Sequence, residues 1–211
     1  MSGLFITVEG LEGVGKSTNL AFVEQWLINK GLEVETTREP GGTALAEDIR
    51  ELLLAKRDEP VSQTCELLMM FAARAQHLSQ KINPWLDQGK CVLSDRFTDA
   101  TYAYQGGGRE MDVSIINQLE GIVQNGLQPD FTLLLDAPAE IGLARIQSRG
   151  FTDRIEQEKV EFFDRAREGY LARAKAQPNR MHIIDASKTL EQVQTQIDAT
   201  LTAFFKAREQ A

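Results

Sequence analysis

The chain has 211 residues, 42% of them hydrophobic and 26% charged, with a formal net charge of -8; that suits one globular core and excludes fibrous, repeat-built and disordered chains. The acidic balance argues against a surface that neutralises long phosphate backbones, so polymeric nucleic acid is not an expected partner, whereas a small anion held by a few clustered arginines is compatible with it. Cys65 and Cys91 lack CxxC or metal-ligand spacing, and there is neither a signal-type leader nor an apolar run of about 18 residues, so the expectation is reduced thiols, no membrane span and a cytoplasmic location.

In chain order, the β-branched run Leu4 to Val8 predicts a first buried strand, and Lys16 to Lys30 predicts a helix with Leu20, Val23 and Leu27 on one face, stopped by Gly31. Glu33 to Thr37 predicts the second strand. Pro60 opens a longer helical stretch toward Leu86 that Gly89 closes, ahead of strands at Cys91 to Ser94, Phe131 to Leu135 and His182 to Ile184. The last helix carries Leu190, Val193, Ile197, Leu201 and Phe204 as a core stripe. Strands alternating with helices predict an α/β fold: a five-stranded parallel sheet between helical layers, with right-handed crossovers and ligands at the carboxyl ends of the strands. One domain over residues 1–211 is expected.

Directly after the first strand, Gly10-Leu11-Glu12-Gly13-Val14-Gly15-Lys16-Ser17 satisfies G-x-x-x-x-G-K-S/T at every fixed position and leads into a helix. The glycines let backbone N–H groups converge on one anion, and the helix that begins there, with Thr18 in its first turn, adds its positive dipole end. Lys16 is expected on the β- and γ-phosphates of a nucleotide and Ser17 on Mg²⁺. A plain glycine turn between strand and helix explains the glycines but not Lys16 and Ser17.

The loop alone does not separate kinase from GTPase or ATPase. No N-K-x-D segment and no DxxG after a strand is present, which removes the GTPase. Arginines instead recur on the segments expected around the cleft: Arg38, Arg50, Arg74, Arg96, Arg109, Arg149 and Arg154, and arginine suits a bidentate grip on phosphate. Asp95-Arg96 ends the third strand, which puts Arg96 across from the phosphate loop, where an acceptor phosphate sits. Asp95 there either holds Mg²⁺ through water or orients Arg96. His77 and His182 have no partners in metal or triad spacing and are read as structural.

Taken with the phosphate loop, Thr37-Arg38-Glu39-Pro40-Gly41-Gly42-Thr43, Phe71-Ala72-Ala73-Arg74, Asp95-Arg96-Phe97 and Ala103-Tyr104-Gln105-Gly106-Gly107-Gly108-Arg109 resemble, in order, the motifs of the bacterial thymidylate kinase family. Arg145, Arg149 and Arg154, followed by Ile155-Glu156, match its arginine-bearing lid, expected at about residues 145–157. The resemblance implies a P-loop NTPase-type kinase that moves the γ-phosphoryl of ATP to dTMP, with Mg²⁺, in a homodimer paired through helices.

Residue by residue, the resemblance implies that Arg96 and Arg50 hold the acceptor 5′-phosphate and that Arg74 reads the thymine edge, with Gln105 and Thr101 completing the base pocket. Glu39 lies on the loop walling that site, and Glu12 approaches the deoxyribose 3′-hydroxyl or a bridging water. Where some members carry a basic residue in the phosphate loop this chain has Gly13, so lid charge is expected to replace it, with Arg154, or else Arg149, over the transferring phosphoryl. Met70 stands where the family usually stacks an aromatic on the base, with Phe71 beside it. Two other readings stay open at this stage: a deoxynucleoside kinase using Glu39 as base, and a nucleotide-binding regulatory module.

Overall fold

The computed structural model describes residues 3–147 and 153–210. Its centre is a parallel sheet of β1 (Leu4–Glu9), β2 (Val34–Arg38), β3 (Cys91–Asp95), β4 (Phe131–Asp136) and β5 (Met181–Asp185), ordered β2-β3-β1-β4-β5. All four pairings are parallel, and Val8 sits opposite both Asp95 and Leu133. The chain therefore reverses its direction of travel across the sheet beside β1, and the crevice of an open α/β sheet lies at that switch point.

The five expected strands occur within a residue or two of their predicted bounds; β1, β3 and β4, buried on both faces, are written as continuous apolar runs, whereas β2 and β5 at the sheet edges are only partly buried. Leu4, Ile6 and Val8 cluster with Val23 and Leu27 of α1 (Lys16–Asn29) and with Ile197 and Leu201 of α9 (Leu190–Glu209). Phe5 and Val92 point the other way, onto Leu78, Ile82 and Phe97, as the two-residue period of a strand requires.

The helical stretch expected from Pro60 starts later. Ser62 caps α3 (Gln63–His77), its hydroxyl accepting from the Cys65 amide at 3.2 Å. The stretch then widens into a π-helical turn, Leu78–Ile82, before α4 (Asn83–Asp87). Pro84 lacks an N–H and its ring displaces the carbonyl one turn back, so the wide turn falls just ahead of it.

Four further helices had no sequence assignment: α2 (Ala44–Leu54), α5 (Thr98–Thr101), α6 (Val113–Gln124) and α7 (Ala139–Gln147), along with a π-helical segment Tyr102–Gly108. The triple glycine at 106–108 reads locally as loop; against α8 (Val160–Ala176) the same glycines permit close packing, since a Cβ on Gly107 would lie 2.5 Å from the Arg165 carbonyl oxygen. Buried Asp99 accepts from both Arg173 and Arg180, at 2.7–2.9 Å, and so fixes α5 to the helix and loop beyond it. No described helix is long and apolar enough to cross a membrane.

Leu133, fully buried in β4, tests the core directly. Leu133→Ala removes apolar contact and leaves a cavity, an expected loss of about 3 kcal/mol, read as a fall in Tm of roughly 10 °C in a thermal melt.

Candidate active site

β1 ends on Glu9, a fully buried carboxyl that accepts from the Phe97 amide at 2.7 Å and the Tyr170 hydroxyl at 2.8 Å, pushed up to about 8 by burial and by nearby Asp99. From there the loop turns through Gly10, Gly13 and Gly15; Gly15, at φ 89°, takes the left-handed conformation immediately ahead of α1. Lys16 folds back over the loop and donates to the carbonyl oxygens of Gly10 at 3.2 Å and Leu11 at 2.7 Å. Burial, then the Arg96 charge, pull its ammonium down to about 8. Ser17 and Thr18 stand exposed in the first turn of α1.

The loop leans on α7. A Cβ at Gly13 would lie 2.2 Å from the Gly142 carbonyl oxygen, and one at Gly142 would lie 2.3 Å from that of Glu12. A larger side chain at 13 therefore has no room while α7 is packed there. From the same helix, Arg145 donates to the Gly13 carbonyl at 3.1 Å. Gly142 was missed in the sequence; its only signal was an isolated glycine inside a helical stretch.

Arg96 has φ 71°, a conformation that costs a non-glycine residue about 1–2 kcal/mol. Its amide donates to the Val8 carbonyl at 3.0 Å and its carbonyl accepts from Ser94 Oγ at 2.7 Å, so the turn is pinned at both ends. The side chain then crosses to the phosphate loop, where Nη2 donates to Gly10 O at 3.1 Å, Glu12 Oε1 at 2.8 Å and the Tyr104 hydroxyl at 2.9 Å. Tyr104 donates in turn to Glu12 Oε2 at 2.5 Å. Burial alone would raise the Glu12 carboxyl, but Arg96, Lys16 and Tyr104 hold it below the usual range. Arg50, from α2, is pushed down by burial and by the like charges of Arg38 and Arg96; such clustered cations are stabilised by an anion between them.

Beside Arg96 opens a cleft of about 610 Å³, its mouth included. Glu12, Arg50 and Arg96 line one part of its wall, and Glu39, Met70, Arg74, Thr101 and Gln105 also line it. Arg74 is buried; its Nε donates to Glu39 Oε2 at 2.7 Å and its Nη2 to Thr101 Oγ1 at 3.1 Å. His77 approaches the other Glu39 oxygen at 3.0 Å and Thr37 Oγ1 at 2.7 Å. Burial pushes Glu39 up, but Arg74 and His77 outweigh it and hold the carboxyl below its usual range. The Glu39-Pro40 bond is cis. Arg74 Nη1, Arg96 Nε, Gln105 Oε1 and Asp95 Oδ1 are buried without a hydrogen-bond partner among the described residues. Each such orphan costs about 1–3 kcal/mol, so together they favour a polar ligand.

Phe71 and Arg154, both expected at the site, do not line this cleft. Phe71 does not line it: adjacent helix positions diverge by about 100°, and the ring turns into a core with Leu67, Tyr102 and Ile116, its centroid 4.9 Å from the Arg74 guanidinium. Arg154 is held by Glu66 and the end of α2. Its Nη2 donates to Glu66 at 2.7 Å and its Nε to the Leu53 carbonyl at 2.9 Å, because a buried carboxylate and a helix-end carbonyl both lie within its reach. Residues 148–152 of the expected lid, Arg149 among them, lie outside the described residues.

Local sequence signals gave no partner for Tyr104, His77 or Glu66, whose partners are 8 to 92 residues distant. A glycine nest at the head of α1, a lysine across it and a second cationic cleft at the switch point define a P-loop NTPase fold of the nucleotide-kinase kind.

The comparisons narrow this. The family model described as thymidylate kinase matches residues 8–197. The thymidylate kinase of Teredinibacter turnerae is 58% identical over 97% of this chain and 100% of its own length, and that of Hahella chejuensis is 57% identical over 95% and 97%. The crystal structure of thymidylate kinase from Ehrlichia chaffeensis superposes with a TM-score of 0.76 at 33% identity, covering 96% of this chain and 99% of that one. The chain belongs to the thymidylate kinase family.

The depressed Lys16 ammonium gives a measurable proton linkage. In the free protein it is about half protonated at pH 8, and a bound polyphosphate favours the charged form, so nucleotide binding takes up roughly half a proton there. Calorimetric titration with ATP at pH 8, in buffers of different ionisation enthalpy, should show this uptake, with affinity falling from pH 7 to 9. Lys16→Met should abolish the uptake.

Proposed function

We propose that this chain phosphorylates dTMP from ATP, yielding dTDP and ADP, within one kinase domain over residues 1–211. The observation that carries this reading is the Gly10 carbonyl, which accepts from Lys16 at 3.2 Å and from Arg96 at 3.1 Å. A donor phosphate held by Lys16 and the amides of residues 10–18 then meets an acceptor phosphate held by Arg96 and Arg50, end to end.

The attacking oxygen belongs to a phosphate that is anionic at neutral pH, so no base is required, and catalysis is positioning plus charge stabilisation. Glu39 bears on the rival deoxynucleoside kinase. A base for a 5′-hydroxyl needs a carboxylate with free lone pairs and a raised pKa, whereas this one is tied to Arg74 and His77 and lowered. Arg74 Nη1 and Gln105 Oε1 supply a donor and an acceptor for the thymine edge, Thr101 orients Arg74, and Met70 covers the base in place of a ring. Glu12, held by Arg96 and Tyr104, faces the sugar.

Mg²⁺ fits the residues present: the orphaned Asp95 Oδ1 and the exposed Ser17 hydroxyl are hard oxygen donors. Mg²⁺ commonly takes one or two such protein oxygens and is completed by substrate phosphates and water. An ion held there by Asp95 and Ser17 would supply neutralisation of phosphate charge. Lid charge falls to Arg145, already on the phosphate loop, and to Arg149, with Arg154 as the lid's anchor.

A homodimer through α2, α3 and α6 is part of the same reading. Leu67 and Phe71 are core, but Leu45, Leu52, Leu68, Val113, Ile115 and Ile122 are exposed on or beside these mutually packed helices, and an apolar area of that kind is normally covered. A cytoplasmic location is supported by the unpaired Cys65 and Cys91.

Assayed on a panel of acceptors with MgATP, the protein should phosphorylate dTMP and leave thymidine untouched; the reverse preference would sink the reading. Arg149→Ala should lower kcat by about 10³-fold, while Arg154→Ala lowers it tenfold or less, and Arg74→Ala should raise KM for dTMP far more than for ATP. Light scattering should give twice the chain mass, and Ile122→Glu should halve it.

A further inference from the structure

Glu66, on α3, does not line the nucleoside cleft, yet it is buried and its two oxygens accept four hydrogen bonds. Oε1 accepts from Gln105 Nε2 at 2.9 Å and Arg109 Nε at 3.2 Å; Oε2 accepts from Arg154 Nη2 at 2.7 Å and Arg109 Nη2 at 3.2 Å. Burial by itself would raise this carboxyl, but Arg109, Gln105 and Arg154 hold it below the usual range. It is therefore ionised, and an ionised carboxylate accepts only. The nitrogen of the Gln105 amide must face it, which turns the oxygen the other way. That oxygen is buried without a partner, on a residue of the cleft wall.

The second reader of the base is fixed by the same device. Glu39 takes Arg74 Nε at 2.7 Å and Thr101 takes Nη2 at 3.1 Å, leaving Nη1 as a donor. The cleft therefore presents one donor and one acceptor, each oriented by a carboxylate behind it. Thymine and uracil carry the complement, an N3–H and a C4 carbonyl. Cytosine carries the reverse, an N3 acceptor and a C4 amine, and meets like against like at both positions.

We propose that Glu66 is a positioning residue that sets the hydrogen-bond polarity of the base pocket, so that the pocket admits pyrimidine nucleotides with an N3–H and rejects cytosine nucleotides. This rests on the reading of the cleft as the dTMP site. A polar site rejects a mismatched edge strongly because its buried groups are left unpaired. Glu66→Gln keeps the shape but can itself donate or accept, so it frees the Gln105 amide to turn over.

The test compares kcat/KM for dTMP with that for dCMP. Glu66→Gln should shrink the ratio by about tenfold or more, with KM for ATP within about twofold. A variant that loses activity on both substrates in equal proportion would show Glu66 to be scaffold only, and the proposal would fall.

Neutralising a carboxylate between two guanidinium groups can prevent folding, so the unmodified enzyme supplies a second measurement. With glutamine labelled at the side-chain nitrogen, the Gln105 amide protons should be protected from exchange in the free protein and equally so with dTMP. Protons that exchange freely and become protected only on dTMP addition face the base instead, and overturn the proposal. Failure of the wild-type enzyme to use dTMP would count against the substrate reading alone, because protection in the free protein is read without any substrate.

Discussion

The carbonyl oxygen of Gly10 accepts from Lys16 and from Arg96 at once, and much of the molecule serves to keep two cations at that one point. Arg96 reaches it only because its own backbone is held in a left-handed turn, pinned by Val8 O and Ser94 Oγ. Lys16 reaches it because Gly15 turns the loop into α1. Two positive groups this close, both largely withdrawn from water, repel each other. Glu12 offsets part of that repulsion, and two phosphates meeting between them would offset more.

The same tension explains the surrounding carboxylates. Glu9, Glu12, Glu39 and Glu66 are all held inside, yet they behave differently. Glu9 forms no ion pair among the described residues and is pushed up to about 8 by burial and by Asp99, while the other three are pinned by arginines and stay below their usual range. None of the pinned three is suited to remove a proton, and phosphoryl transfer to an already anionic acceptor asks for no such group. They act as orienters: Glu12 for Arg96, Glu39 for Arg74, Glu66 for Gln105. Removing one leaves a buried guanidinium unpaired, so their loss is felt as misplacement of a neighbour as much as lost charge.

Legibility differed by element. The central strands could be read because continuous apolar runs announce a doubly covered sheet, and α1 because a core stripe follows a phosphate-loop motif. The π-helical segment Tyr102–Gly108 could not, since three glycines look like loop until α8 is seen packed on them. Phe71 was misjudged for a related reason: one residue's rotation on α3 separates the cleft wall, where Met70 lies, from the core. The Glu66 contact of Arg154 could not be foreseen either, because arginine spacing suggests a charged lid without saying which guanidinium a buried carboxylate will capture.

The sequence by itself determined the sheet, the anion nest and the family, because each is written in short-range spacing: a two-residue or four-residue period, glycines at fixed offsets, motifs in order. Only the tertiary structure decided which side chain each arginine serves, that Gly142 lets α7 press on the phosphate loop, and that Glu39 and Glu66 stand behind Arg74 and Gln105 of the cleft wall. Those are contacts between residues tens of positions apart, selected by geometry and by the need to pair every buried charge, and no local pattern encodes them.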